Sequence, residues 1–199
     1  IVSWCTTCLL GLYQPFMQIW VGTENMFGMG MVVLFGLYFF VHKWCDMLYV
    51  YQEACGIWWE TKFIPFIAAI VNLVVNIILV ETIGLPGILI STIVSVVFIY
   101  DTGYAKVLFK TYFESVNEGL KQYWNRQIRY ILIASIACAI TVAVCSLPTI
   151  ESAWLRLIVN GIICVLIPNT VFVLAWKGLP EFAYAKNMLD KFSRKLMRK

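Results

Sequence analysis

Charged side chains are scarce in this sequence. Of its 199 residues only 13% are Asp, Glu, Lys or Arg, while 61% are hydrophobic. A soluble domain of this length cannot bury so much apolar surface, so the composition excludes an ordinary water-soluble globular protein. It predicts an integral membrane protein.

Histidine is nearly absent, because His42 is the single one. A zinc site would need two or three further ligands, and none is spaced for this around His42, so no metal is predicted. The sequence also lacks a Ser, His and Asp grouping, a paired-carboxylate loop and a phosphate-binding glycine loop. These absences argue against an enzyme, and we predict no cofactor.

Long apolar runs dominate what is present. In residues 56–95 two such runs flank a short turn, in which Gly84 permits a left-handed backbone and Pro86 fits the first turn of the next helix. Each run has the length of about 18 or more residues that crosses the roughly 30 Å hydrocarbon core of a bilayer. Since the backbone must satisfy its own hydrogen bonds there, the pattern predicts a helical hairpin over residues 63–104.

The same pattern predicts an all-α, polytopic membrane helix bundle with six transmembrane helices. We predict these helices at residues 1–20, 26–51, 63–80, 85–104, 128–147 and 154–176. Residues 1–104 would hold the first four helices, 105–127 a cytoplasmic amphipathic linker broken at Gly119, 128–176 the last two helices, and 177–199 a basic tail.

The basic residues predict the orientation. Of the fifteen Lys and Arg residues, all but Lys43 and Arg156 fall on one side of the predicted helices, whereas Glu24, Glu81 and Glu151 fall on the other. The positive side is expected in the cytoplasm, together with both ends of the chain. The net charge of +4 then indicates anionic membrane lipids as partners, and not nucleic acid, because the cations are divided among several juxtamembrane segments.

An ordered set of residues around the hairpin carries a family resemblance. The set comprises Trp58, Trp59, Lys62, Pro65, Asn72, Leu73, Asn76, Leu79, Val80, Gly84 to Gly87, Ser91, Thr92 and Ser95, with Gln14 to Phe16 and Ile19 to Gly22 upstream. In order and spacing it resembles the carboxy-terminal half of the polysaccharide flippases. These are the O-antigen, capsule and teichuronic-type repeat-unit transporters of the multidrug/oligosaccharidyl-lipid/polysaccharide superfamily.

The resemblance implies a function and a set of partners. It implies a transporter that moves a polyprenyl-pyrophosphate-linked oligosaccharide across the cytoplasmic membrane for cell-surface polysaccharide synthesis. It also implies that the six helices form one lobe of a two-lobe carrier, and because Ile1 lies inside an apolar run we expect a missing amino-terminal lobe. A drug or metabolite cation antiporter of the same superfamily stays open, as does a membrane enzyme of envelope synthesis.

Polar residues inside the predicted helices are the candidate substrate-binding residues. Lys43 and Asp46, at positions i and i+3, either neutralise each other or serve transport. In a flippase the resemblance implies that Lys43 meets the pyrophosphate in a central cavity. In an antiporter, Asp46 would be the acidic residue that couples transport to an ion.

Two further pairs complete the candidate set. Asn72 and Asn76 share one face of their helix, where they either contact a neighbouring helix or bind substrate. Arg156 and Asn160 lie one turn apart, and Arg156 either lines the cavity or extends to the outer membrane interface.

Overall fold

The computed structural model describes residues 1–113, 119–148, 150–179, 182–184, 187–188 and 191. All of the regular structure in these residues is helical, as the composition and the apolar runs predict. The elements are α1 (Val2–Trp20), a 3₁₀ turn (Thr23–Asn25), α2 (Met29–Cys55), α3 (Trp58–Thr61), α4 (Phe63–Ile83), α5 (Leu85–Ser95), a π-helical turn (Val96–Asp101), α6 (Thr102–Thr111), α7 (Leu120–Ser146) and α8 (Ala153–Trp176).

Five helices in the described part of the chain are long and apolar enough to cross a membrane. They cover Met29–Cys55, Trp58–Ile83, Leu85–Thr111, Leu120–Ser146 and Ala153–Trp176. The helix α1 forms where it is predicted, but it is not one of the five, since polar residues such as Gln14 and Gln18 lower its hydropathy. The structure is therefore compatible with a membrane-embedded, multi-pass protein with five candidate spans, where the sequence predicts six.

The helix boundaries around residues 105–127 differ from the prediction. The helix that begins at Leu85 continues through the π-helical turn and α6 as far as Thr111, and α7 already begins at Leu120, directly after Gly119. The described amphipathic residues therefore extend two long helices instead of forming a helix of their own. Residues 114–118 and most of the predicted basic tail lie outside the described residues.

The helices form two groups that α2 connects. One group is α1, α7 and α8, which pack against one another, and α2 packs on α1. The other group is the hairpin of α4 and α5, which contacts α2 through α5 and the π-helical turn. Only 6% of the most apolar part of the span that contains α4 is buried, against 22% in each of the other four spans. The hairpin therefore leaves α4 on the outside of the protein.

A proline in α1 creates a polar contact with α8. Pro15 has no N–H to pair with the carbonyl of Gly11 four residues earlier. The buried amide Nδ2 of Asn160 in α8 donates a hydrogen bond of 3.1 Å to that carbonyl. The two helices approach closely here, because a Cβ on Gly11 would lie only 2.7 Å from the Sγ of Cys164.

The proline in α8 creates the reciprocal contact. Pro168 leaves the carbonyl of Cys164 without its helical donor, and the indole Nε1 of Trp4 in α1 donates to it at 2.9 Å. Each helix thus supplies the donor that the proline of the other helix removes. Freed backbone carbonyls in membrane helices are commonly satisfied by neighbouring helices in this way.

The turn between α4 and α5 is formed as the sequence predicts. Gly84 ends α4 with a φ of +70°, and Pro86 lies in the first turn of α5. Gly87 allows the helices to touch, because a Cβ there would lie 2.6 Å from main-chain atoms of Leu79. The close contact explains why a residue without a side chain is needed at this point.

The elbow between α2 and α4 is held by one buried hydrogen bond. The Nε2 of Gln52 donates to the Oγ1 of Thr61 at 2.7 Å, and Gly56 ends α2 with a φ of +67°. On the exposed side of the elbow, the ammonium group of Lys62 lies 3.2 Å from the centre of the Trp59 ring. A buried apolar cluster packs beside it, consisting of Leu48, Ile57, Tyr104, Ala105 and Leu108.

Candidate functional site

Lys43 and Asp46 form an ion pair on the surface of α2. The Nζ of Lys43 lies 2.7 Å from the Oδ2 of Asp46, and both side chains are 52% exposed. An ion pair at this exposure contributes only about 0–1 kcal/mol to stability, since water and ions screen it. Lys43 can therefore exchange Asp46 for another anion at little cost.

A largely apolar cavity of about 420 Å³ lies beside Lys43. Its polar side chains include Ser3, Lys43, Gln127 and Tyr130, and the rest of its wall is mainly aromatic and aliphatic. The lining residues are Ile1, Val2, Ser3, Lys43, Trp44, Met47, Gln127, Tyr130, Trp176, Leu179 and Phe182. The cavity thus joins both ends of the described chain to α2 and α7.

Two further cavities adjoin the first along the start of α7. One of about 280 Å³ shares Met47, Gln127 and Tyr130 with it and is also lined by Arg126. The next, of about 340 Å³, is polar, and its lining residues are Gln122, Asn125, Arg126 and Arg129. We call these three cavities together the amphipathic cleft.

The amphipathic cleft combines the two properties that bind an anionic amphiphile. Its apolar wall around Trp44 and Trp176 can remove a hydrocarbon chain from water, which gains about 25 cal/mol per Å² buried. Its cations are Lys43 in the first cavity and Arg126 and Arg129 in the third. Guanidinium groups match phosphate oxygens with paired hydrogen bonds, so the arrangement suits a lipid that carries a phosphate group.

Asn72 and Asn76 lie in the α4–α5 hairpin and line none of the three cavities. The Nδ2 of Asn72 donates to the Oγ1 of Thr92 and to the Oγ of Ser95 in α5, at 3.2 Å each. The predicted helix contact is therefore present at Asn72. The Oδ1 of Asn76 is buried and has no hydrogen-bond partner in the described part of the chain.

Arg156 and Asn160 also lie away from the cleft. Asn160 is 2% exposed and contacts Gly11, so its amide serves the packing of α1 on α8. The Nε of Arg156 is buried, and none of the described residues forms a hydrogen bond with it. The six candidate residues therefore do not form one site, and only Lys43 lines the cleft.

The sequence reasoning missed most of the cleft. The residues in question are Arg126, Gln127, Arg129 and Tyr130 in the first half of α7. They fall on both sides of the predicted boundary between the linker 105–127 and the helix 128–147, and the sequence prediction uses the arginines only as signals of orientation. The signal that was available is their spacing of three and four residues, which places them on one side of a helix. It becomes informative only when α7 is known to begin at Leu120.

A second missed residue is Asp101, the last residue of the π-helical turn. It is 7% exposed, lies beside the thiol of Cys45 in α2, and its Oδ1 has no hydrogen-bond partner among the described residues. The available signal is its position inside the predicted span 85–104. An acidic residue within a membrane helix is energetically costly, and the few that occur commonly have a function. Asp46, the acidic residue that the sequence favours, is half exposed and paired.

No three His, Cys, Asp or Glu side chains of the described chain are grouped as a metal site requires. No known protein family, curated protein or solved structure matches the chain. The resemblance to the polysaccharide flippases therefore depends on the ordered residues of the sequence alone.

Proposed function

We propose that this chain is part of a membrane transporter that moves a polyprenyl-pyrophosphate-linked oligosaccharide across the cytoplasmic membrane. In this proposal α1 crosses the membrane together with the five apolar spans, and the six helices form one lobe of a two-lobe carrier. The end of the bundle that holds the amphipathic cleft faces the cytoplasm, because most Lys and Arg residues fall at that end.

The observation that carries the proposal is the position of Lys43 at an apolar cavity of about 420 Å³ that adjoins the arginines of α7. A polyprenyl pyrophosphate has the same two parts, a long hydrocarbon chain and a group with several negative charges. The ion pair with Asp46 would hold Lys43 while the cleft is empty, and the pyrophosphate would replace Asp46 as the partner of the ammonium group. The ordered residues of the hairpin support the same class of transporter independently.

A drug or metabolite cation antiporter is the second candidate. The buried carboxyl group of Asp101 favours it, since such carriers need an acidic residue inside the bundle for ion coupling. The cations of the cleft argue against it, because they repel a cationic substrate. Increased resistance of cells to cationic drugs on expression of the full-length protein would favour this candidate.

The proposal is tested in a bacterial strain that lacks its own flippase and expresses the full-length protein. Surface polysaccharide is measured relative to the amount of protein in the membrane. We expect Lys43→Ala to lose most transport at normal abundance and Lys43→Arg to retain part of it, since arginine keeps the charge but not the geometry. Unchanged transport in Lys43→Ala would exclude a role of Lys43 in substrate binding.

Two control variants separate substrate binding from loss of the ion pair. Asp46→Ala removes the partner of Lys43 and leaves the cation in the cleft, so we expect it to retain transport. Lys62→Ala removes a cation that lies on the ring of Trp59 outside the cleft, and it should behave as the parent protein does. If Lys43→Ala fails and the double variant with Asp46→Ala recovers, the pair serves only charge balance.

A further inference from the structure

A carboxyl group is buried within the candidate membrane span Leu85–Thr111 without a counter-ion among the described residues. Asp101 is 7% exposed, and its Oδ1 accepts no hydrogen bond from any described residue. No Lys, Arg or His of the described chain lies within ion-pair distance of it. An ionised carboxylate in such a place costs far more than a neutral carboxylic acid, so the packed arrangement fits the neutral form.

The titratable groups around Asp101 do not offer a cation either. From α2 the thiol of Cys45 lies beside it, and from α7 the phenol of Tyr123 lies within electrostatic range. Its own helix adds the phenols of Tyr100 and Tyr104 to the same buried region. A thiol and a phenol carry no positive charge in either protonation state, so the proton is the charge that can balance Asp101.

A cavity lies beside Cys45, the side chain next to this carboxyl group, although Asp101 itself does not line it. It has a volume of about 410 Å³ and lies between α2 and the π-helical turn, and its lining residues are His42, Cys45, Asp46, Tyr49, Val96 and Tyr100. His42 and Asp46 are exposed, whereas Cys45 is buried and lies between the cavity and Asp101. Since one water occupies about 30 Å³, the cavity has room for the water that carries protons inward.

The backbone at Asp101 departs from the α-helical pattern. Val96–Asp101 forms a π-helical turn between α5 and α6. Such turns are rare in proteins, and those that occur are often found at functional sites. The turn packs directly on α2, the helix that connects the two helical groups. Asp101 therefore lies at the contact between the hairpin and the rest of the protein.

We propose that Asp101 is a proton-binding site, and that its protonation keeps the π-helical turn packed on α2. The carboxylate takes up a proton from hydronium that enters the cavity at His42: one O–H bond of hydronium breaks, one O–H bond forms on Asp101, and a water molecule is left. When the proton leaves, the carboxylate must be hydrated, so α2 and the π-helical turn separate. A metal cation fits less well, because no three His, Cys, Asp or Glu side chains among the described residues are grouped to bind one. The site goes beyond the proposed function, since it is independent of the cargo.

Infrared difference spectroscopy of the purified full-length protein tests the proposal without a transport assay. A pH titration follows the carbonyl band of a protonated carboxylic acid. We expect a band that disappears as the pH rises in the parent protein and in Asp46→Asn, and that is missing in Asp101→Asn. A titrating band that survives in Asp101→Asn would overturn the proposal, and so would a band that depends on the Na⁺ concentration at constant pH.

The labelling rate of Cys45 supplies a readout of the movement. The rate is measured against pH with a small thiol reagent in the parent protein and in Asp101→Asn, whose amide mimics the neutral acid. The rate in the parent protein is divided by the rate in Asp101→Asn, which cancels the ordinary effect of pH on a thiol. We expect this ratio to rise with pH. A ratio that stays constant would contradict the coupling between Asp101 and α2. If Asp101→Asn does not fold, the labelling rate of Cys45 is instead divided by that of Cys55 in the parent protein. We expect this second ratio to rise with pH as well.

Discussion

The amide of Asn160 donates its hydrogen bond to the one carbonyl of α1 that Pro15 deprives of a helical partner, the carbonyl of Gly11. The two residues are 149 positions apart in the chain. The reciprocal bond from Trp4 to the carbonyl of Cys164 follows the same rule at Pro168. The two prolines thus create the polar contacts through which α1 and α8 pair.

This relationship predicts a compensating mutation. Asn160→Ala should lower the free energy of unfolding by about 0.5–2 kcal/mol, because the carbonyl of Gly11 loses its donor. In a Pro15→Ala background the same substitution should cost less, since the N–H of the new alanine pairs with Gly11. Thermal unfolding of the four proteins in detergent measures the coupling. Equal losses in both backgrounds would show that Asn160 stabilises the protein in another way.

The close contact in the hairpin predicts a steric effect. Gly87→Ala should destabilise the protein by about 1–3 kcal/mol, because its Cβ would lie 2.6 Å from the main chain of Leu79 and must push α4 and α5 apart. Gly161→Ala is the matched control, since nothing lies within 4 Å of a Cβ at that helical position. Thermal unfolding should separate the two variants, and similar melting temperatures would argue against the described packing of the hairpin.

The hydrogen bonds of Asn72 predict a role in packing and not in transport. Asn72→Leu should lower stability by about 0.6–1.7 kcal/mol through loss of the bonds to Thr92 and Ser95. Transport per folded molecule should stay unchanged, because Asn72 lies outside the amphipathic cleft. The test is surface polysaccharide relative to protein level. A loss of transport at normal stability would return Asn72 to the set of substrate-binding residues.

The charge distribution predicts opposite sides of the membrane for the two ends of the bundle. Cysteine introduced by Glu81→Cys should react with a membrane-impermeant thiol reagent in intact cells, and cysteine introduced by Lys121→Cys should react only after the cells are opened. Labelling is measured relative to the parent protein, which has seven cysteines of its own. The reverse pattern would invert the proposed orientation.

Features that depend on neighbouring residues could be predicted from the sequence. The Lys43–Asp46 pair follows from a spacing of three within one helix, and the turn at Gly84 follows from local backbone chemistry. The helical class follows from composition. The sequence predicts that Asn72 either contacts a neighbouring helix or binds substrate, and its partner in the hairpin is a near neighbour because α5 follows α4 directly.

Features that depend on distant packing could not be predicted. The partner of Asn160 lies in α1, and the burial of Asp101 requires that α2 packs against the π-helical turn. The π-helical turn itself has no sequence pattern in the apolar run that contains it. The number of spans differed for another reason, since α1 is helical but less apolar than the other long helices.

The central claim is that the full-length protein moves a polyprenyl-pyrophosphate-linked oligosaccharide. The most direct measurement uses vesicles that contain the purified full-length protein and a fluorescent lipid-linked oligosaccharide, whose transfer between leaflets is followed with a membrane-impermeant quencher. We expect transfer that is faster than in protein-free vesicles and that is lost with Lys43→Ala but kept with Lys62→Ala. Transfer at the rate of protein-free vesicles, with the protein folded and correctly inserted, would contradict the proposed function.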